Sequence, residues 1–126
     1  MTQQLTQQSI LVVDDEAPMR RLLSSNLKAS GYSVRSATDG TEALKLIEEH
    51  PFDLLLLDVN IPGPTGLQVL EAVRREANLP VLMLSARSRE RDKVEALKSG
   101  ANLYLEKPIK YEDYREIAEQ IGRLLP

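Results

Sequence analysis

Residues 54–58 read Leu-Leu-Leu-Leu-Asp, and residues 10–15 read Ile-Leu-Val-Val-Asp-Asp. An apolar run this short, with no polar alternation, fits a strand buried on both faces. An unpaired charge is not tolerated inside such a strand, so Asp58 and the Asp14–Asp15 pair mark where two strands emerge at a sheet's edge. If those strands are parallel neighbours, three acids converge with no opposite charge beside them in the local sequence. Crowded carboxylates raise one another's pKa unless a cation holds them together. A hard divalent ion meets that need and points to chemistry with phosphate.

Outward from these two runs, short strand-like stretches alternate with helical spacing. Met19, Leu22, Leu23 and Leu27 recur at helical intervals, and Gly31 supplies the stop. Residues 33–37 form a second, weaker strand, and Asp39 with Glu42 makes a capping pair before a helix bearing Ala43, Leu44 and Ile47. Pro62, Gly63, Pro64 and Gly66 build the turn after Asp58, and Leu67, Leu70 and Val73 give the next helix one apolar face. Residues 81–84 are a fourth strand, and Val94, Leu97 and Ala101 mark a fourth helical stripe stopped at Gly100. Residues 103–105 form a short fifth strand, before a last helix striped by Tyr114, Ile117, Ala118, Ile121 and Leu125. Five strands alternating with five helices specify an α/β domain, a parallel sheet covered on both faces. Connections of this kind are right-handed, and functional groups gather beyond the carboxyl ends of the strands. Asp14, Asp15, Asp58, Ser85 and Lys107 are therefore expected along one edge.

A chain of 126 residues fits one domain with a core of its own. The Gln- and Thr-rich residues 1–8 read as a flexible arm, and residues 9–126 as the domain. With 19 acidic against 16 basic side chains there is no electrostatic reason to expect direct nucleic-acid contact. The absence of cysteine excludes disulfides, thiolate metal sites and cysteine catalysis, and agrees with a cytoplasmic protein. The first nine residues lack a signal peptide's basic-then-apolar pattern, and no apolar stretch approaches the roughly 20 residues a membrane helix needs. No Trp and a single Phe argue against stacking platforms for bases or flavins.

Each of the five edge side chains has a use in phosphoryl chemistry. Asp14 and Asp15 supply negative charge for Mg²⁺, which prefers oxygen ligands and keeps several waters. Asp58, at the end of a central strand, can touch the metal and also act as a nucleophile, giving an aspartyl phosphate. Such transfer is mostly positioning and charge neutralisation, to which Lys107 adds a point charge on a long stem. Ser85 carries a hydroxyl suited to donate to a phosphoryl oxygen. Pro108 restricts Lys107 to an extended conformation and so helps hold it toward the site.

The segments at residues 10–16 (ILVVDDE), 54–67 (LLLLDVNIPGPTGL), 81–87 (VLMLSAR) and 100–109 (GANLYLEKPI) together resemble the receiver domain of two-component response regulators. The match is colinear from about Ser9 to the end of the chain. The resemblance implies a flavodoxin-like, doubly wound fold with strand order 2-1-3-4-5. It implies that Asp58 accepts phosphate from the phosphohistidine of a sensor histidine kinase or a histidine phosphotransfer protein. Asp14, Asp15 and Asp58 with the backbone carbonyl of Asn60 would hold Mg²⁺, for which Mn²⁺ can substitute. Ser85 and Lys107 would contact the phosphoryl group, supported by Ala86 and Pro108. Tyr104 matches the aromatic switch position, whose ring turns inward as Ser85 moves toward phosphate, changing the surface of the fourth helix, fifth strand and fifth helix. Asn60 and Arg87 fall at positions that tune phosphoryl lifetime. The domain would be a phosphoacceptor, catalysing only its own phosphorylation and dephosphorylation.

Two outputs are compatible with the resemblance: a DNA-binding domain following Pro126, or a stand-alone receiver acting by docking or phosphotransfer. A homodimer through the fourth helix, fifth strand and fifth helix is a family option. Here Asn102 and Leu103 replace the two acids of many transcriptional receivers, and Ile117 and Ala118 stand near their usual basic partner. That removes the charges of the usual salt-bridged contact. A haloacid-dehalogenase-type phosphatase needs a second aspartate two residues after its nucleophile, where this chain has Asn60. A flavin carrier of the same fold cradles phosphate with a Ser/Thr/Gly-rich loop, whereas Asp14-Asp15-Glu16 would repel it. A degenerate receiver serving only as an interaction module would lack some of the five edge residues, and none is missing.

Overall fold

The computed structural model describes residues 7–86 and 89–125. Strands β1 (Ser9–Val13), β2 (Ser33–Ala37), β3 (Leu54–Asp58), β4 (Val81–Ser85) and β5 (Leu103–Glu106) form one parallel sheet in the order β2-β1-β3-β4-β5. Helices α1 (Ala17–Ala29), α2 (Gly40–Glu49), α3 (Gly66–Glu76), α4 (Glu90–Lys98) and α5 (Arg115–Leu124) connect and cover it, with a 3-10 turn at Tyr111–Tyr114 leading into α5. The doubly wound fold and strand order expected from the resemblance are thus present. The 3-10 turn has no counterpart in the sequence reading.

Side-chain alternation sorts the central strands into two layers. Leu11, Val13, Leu55, Leu57, Val81 and Met83 face α2, α3 and α4, where Ala43, Val69, Leu70, Val73 and Ala96 meet them. Ile10, Val12, Leu54, Leu56, Leu82 and Leu84 face α1 and α5 and pack on Leu23, Leu27, Ile117 and Ile121. Burial on both faces is why β3 and β4 carry unbroken apolar runs.

Local chemistry sets the helix ends. Asp39 caps α2 by accepting from the Glu42 N–H at 2.8 Å, as the capping pair predicts. The Glu42 carboxylate accepts from the Thr38 N–H at 2.7 Å, one residue before its expected partner. A complete capping box, beyond the expected features, closes α3: Thr65 Oγ1 accepts from the Gln68 N–H and Gln68 Oε1 accepts from the Thr65 N–H. Gly31 and Gly100 follow α1 and α4 with φ of 98° and 108°, left-handed conformations that favour glycine.

One expected stripe is corrected. On α4 the buried residue is Ala96, while Val94 and Leu97 are 40% and 41% exposed. A small side chain at the contact lets the helix lie close over β5, and its larger apolar neighbours fall to either side. Ala101 is buried as expected but beyond the helix end. The stripe of α5 agrees with expectation, with Tyr114, Ile117, Ile121 and Leu125 buried and Ala118 half-buried.

Candidate functional site

The register brings the acids together. Val13 pairs with Leu57 across the β1–β3 boundary, so the next residues, Asp14 and Asp58, reach the carboxyl edge side by side. Carboxylate oxygens of Asp14, Asp15 and Asp58 lie within 4.8 Å of one another. Asp14 and Asp58 are buried at 1% and 5% exposure, and Asp15 is exposed toward solvent. Lys107 closes the cluster from β5. Its backbone N–H donates to the Ser85 carbonyl oxygen at 2.7 Å, and its Nζ donates to Asp14 Oδ2 at 3.0 Å and Asp58 Oδ2 at 3.1 Å.

Backbone N–H groups hold the two buried carboxylates. Asp14 Oδ1 accepts from the Glu16 N–H at 2.9 Å, and the Arg20 guanidinium donates to the Asp14 carbonyl oxygen at 2.8 Å. Asp58 Oδ1 accepts from the Asn60 N–H at 3.2 Å. A Cβ on Gly66 would stand 2.7 Å from the Asp58 carbonyl oxygen and 2.8 Å from Val59 Cα, so only glycine lets α3 start this close to the end of β3. The clamp from Arg20 had no sequence signal, since an arginine at the start of a helix is ordinarily a solvated surface residue.

The remaining expected residues lie around this centre. Ser85 ends β4 and is buried, one residue beyond Leu84, which pairs with Asp58. Ala86 is exposed and Pro108 half-buried on the same rim. Tyr104, paired with Met83, is 4% exposed with its ring among the α2–α3–α4 layer, and its hydroxyl is buried without a hydrogen-bond partner. Arg87 lies outside the described residues. Asn102, one of the two departures, serves locally: its Oδ1 accepts from Arg74 Nη2 at 2.8 Å and from the Val81 N–H at 2.9 Å. Leu103 is half-buried against the α1–α5 layer.

The charge balance fits a divalent ion. The clustered carboxylates of Asp14, Asp15 and Asp58 face the single ammonium of Lys107, leaving an excess of two negative charges, 3 − 1 = 2. The donors are hard oxygens, and carboxylates of this kind are what Mg²⁺ takes while retaining waters. Burial raises the pKa of Asp58; Lys107 opposes that rise and the Asp14 charge adds to it. Burial works against the Lys107 ammonium, but its hydrogen bond to Asp14 and the charges of Asp58 and Asp14 outweigh that and raise its pKa.

A raised carboxyl pKa in the folded state means the native protein binds the proton more tightly than the unfolded chain. This contribution is therefore full below the ordinary carboxylate range and is lost as pH rises through the elevated Asp58 pKa. Metal-free Asp58→Asn protein should accordingly melt higher than wild type at neutral pH, with the gap closing toward pH 4. Thermal melts in chelator across pH 4–8 read this out. A variant that melts lower at neutral pH would show that Asp58 is stabilised by its surroundings.

The family model of the response regulator receiver domain matches residues 10–119. The chain belongs to this family. Among solved structures, this receiver domain is similar to the Vibrio cholerae chemotaxis protein CheY4, with 33% identity and a TM-score of 0.86 over 95% of this chain and 100% of that one. It is similar to the response regulator TrrA of Thermotoga maritima, solved in complex with Mg²⁺ and BeF, at 34% identity and a TM-score of 0.82 over 94% of this chain and 99% of that one. The receiver domain of the Francisella response regulator 1452 gives 30% identity and a TM-score of 0.82 over 93% and 98% of the two chains.

Proposed function

We propose that this receiver domain is a phosphorylation-driven switch in which Asp58 is the acceptor. The observation that carries the reading is the carboxylate cluster of Asp14, Asp15 and Asp58, in which the Lys107 ammonium bridges Asp14 and Asp58. A carboxylate oxygen of Asp58 attacks the phosphorus of a phosphohistidine on a sensor kinase or phosphotransfer protein. The P–N bond breaks, its electron pair returns to the imidazole, and that nitrogen is protonated from water. Asp14, Asp15 and Asp58 with the Asn60 carbonyl hold Mg²⁺, for which Mn²⁺ can stand in, and the bound ion supplies neutralisation of the phosphoryl charge.

Lys107 takes up the rest of that charge. It holds Asp14 and Asp58 in the unmodified domain and can turn its ammonium to a phosphoryl oxygen, because its backbone is anchored to β4 through Ser85. The Ser85 hydroxyl donates to a second oxygen, with Ala86 and Pro108 shaping the rim. Phosphorylation adds about −1.5 to −2 charge and three acceptors, which draws the end of β4 inward. Tyr104 carries that movement to the face made by α4, β5 and α5, where a partner domain, a target protein or a second copy reads it. The reaction is the domain's own modification and its reversal, not turnover of a free substrate. No helix among the described residues is long and apolar enough to cross a membrane, and a cytoplasmic setting beside the kinase is part of this proposal.

Beryllofluoride, a phosphoryl mimic, tests this reading, extending to this chain the combination found with TrrA. It is expected to bind only with Mg²⁺ present and to shift the ring resonances of Tyr104. Binding in chelator would remove the metal's role, and an unchanged ring signal would remove the switch.

A further inference from the structure

Glu16 brings a fourth carboxylate to the phosphoacceptor edge, and its two ordinary local roles are both unfilled. An N-cap side chain usually accepts from the first turn of its helix, and a glutamate four residues before an arginine usually pairs with it. Glu16 is the N-cap residue of α1 but its side chain caps nothing, and Arg20 donates instead to the Asp14 carbonyl oxygen. The Glu16 carboxylate lies 4.0 Å from Lys107 Nζ, and its backbone N–H donates to Asp14 Oδ1 at 2.9 Å. Its side chain is 65% exposed, whereas Asp14 and Asp58 are buried. Lys107 Nζ is also 3.1 Å from Asp58, so the Glu16 and Asp58 carboxylates stand no more than about 7 Å apart, inside the screening length of physiological salt. The three clustered carboxylates exceed the Lys107 ammonium by two negative charges, which a divalent ion cancels. Glu16 therefore leaves the loaded pocket with one negative charge over, on the solvent side where a phosphodonor arrives.

We propose that Glu16 is a specificity-determining residue that selects among phosphodonors by charge, an inference that rests on Asp58 as the acceptor. It disfavours acyl phosphates and favours phosphoramidates, whose protonated leaving nitrogen offsets one negative charge. With acetyl phosphate, an Asp58 oxygen bonds to phosphorus, the P–O bond to the acyl group breaks, and acetate leaves with the electron pair. With phosphoramidate the same bond forms, the P–N bond breaks, and the already protonated nitrogen leaves as ammonia with the pair. Two unit charges about 7 Å apart in a water-like medium change an association constant by about threefold, so each extra negative charge on the donor costs that factor.

The test is the rate of phosphoryl gain by the full chain, read by intact mass with Mg²⁺ and subsaturating donor at neutral pH. Acetyl phosphate is a dianion there and phosphoramidate a monoanion. Glu16→Gln should raise the rate with acetyl phosphate about threefold more than the rate with phosphoramidate, and Glu16→Lys about tenfold more. High salt should close both gaps. Glu119→Gln makes the same change of charge on α5, beside a separate cleft with Asn26 and Ala29, and should leave the donor ratio at its wild-type value. With no donor present, Glu16→Gln should weaken Mg²⁺ binding at least about threefold, followed through the amide resonances of Asp14 and Asp58, and Glu119→Gln should not. Equal acceleration with both donors, a wild-type ratio in Glu16→Lys, or undiminished Mg²⁺ affinity would overturn the selection and leave Asp58 as the acceptor. A wild-type chain labelled by neither donor would overturn the acceptor reading and the selection with it.

Discussion

Asp58→Asn protein incubated with acetyl phosphate and Mg²⁺ is expected to gain no mass, while the wild type gains one phosphoryl group. The substitution keeps the shape of the side chain and its place at the end of β3, so the metal-free fold should persist. It removes the anionic oxygen that attacks phosphorus, since an amide oxygen is a poor nucleophile. It also withdraws one of the clustered carboxylates from the cation site. Chelator should abolish labelling of the wild type as fully as the mutation does, because the carboxylates would otherwise repel the incoming phosphate. Intact-mass measurement separates the outcomes. Undiminished labelling of the variant would move the acceptor elsewhere.

Lys107→Met is expected to produce the largest loss of stability in the metal-free protein. Its ammonium bridges two carboxylates that are almost wholly buried, at 3.0 and 3.1 Å, and it is itself 11% exposed. Removing one member of a buried ion pair leaves its partners uncompensated and costs about 3 kcal/mol. In a domain of this size that lowers the melting temperature by about 10 °C. The raised pKa of Lys107 gives the pH window: the ammonium's contribution is complete below its ordinary value and disappears as pH rises through the elevated one. The deficit should therefore be present throughout the neutral range. Mg²⁺ should restore more stability to the variant than it adds to the wild type, since it supplies the missing positive charge where no ammonium competes. Equal melting temperatures in chelator would show that the carboxylates do not depend on Lys107.

Much of this architecture was readable because it rests on local rules. The apolar runs ending in Asp58 and in Asp14–Asp15 declared both strand burial and strand exit, and the Val13–Leu57 register fulfils the convergence they implied. The positions of Ser85 and Lys107 at later strand ends followed from the same rule. What escaped depended on tertiary contact. The α4 stripe was misread because helical spacing says which residues share a face, not how wide the contact is, and here a single Ala96 suffices. Arg20 holds the carbonyl oxygen of Asp14 just before its own helix, and Arg74 holds those of Leu79 and the remote Gly100, a use that no local pattern distinguishes from a solvated arginine. The Gly66 requirement arises from the nearness of the chain it follows, whereas the sequence marks it only as part of a turn. The box at Thr65 and Gln68 was legible in principle, a threonine followed three residues later by glutamine, and was obscured by the surrounding prolines and glycines.

The pocket itself can be located with Mn²⁺ in place of Mg²⁺, because the paramagnetic ion broadens amide signals nearby. Substoichiometric Mn²⁺ should selectively erase the resonances of Asp14, Asp15, Asp58 and Asn60, and excess Mg²⁺ should bring them back. Broadening centred on another acidic region, such as Asp39, Glu42 and Glu49, with the signals of Asp14 and Asp58 intact, would contradict a cation site at this strand edge.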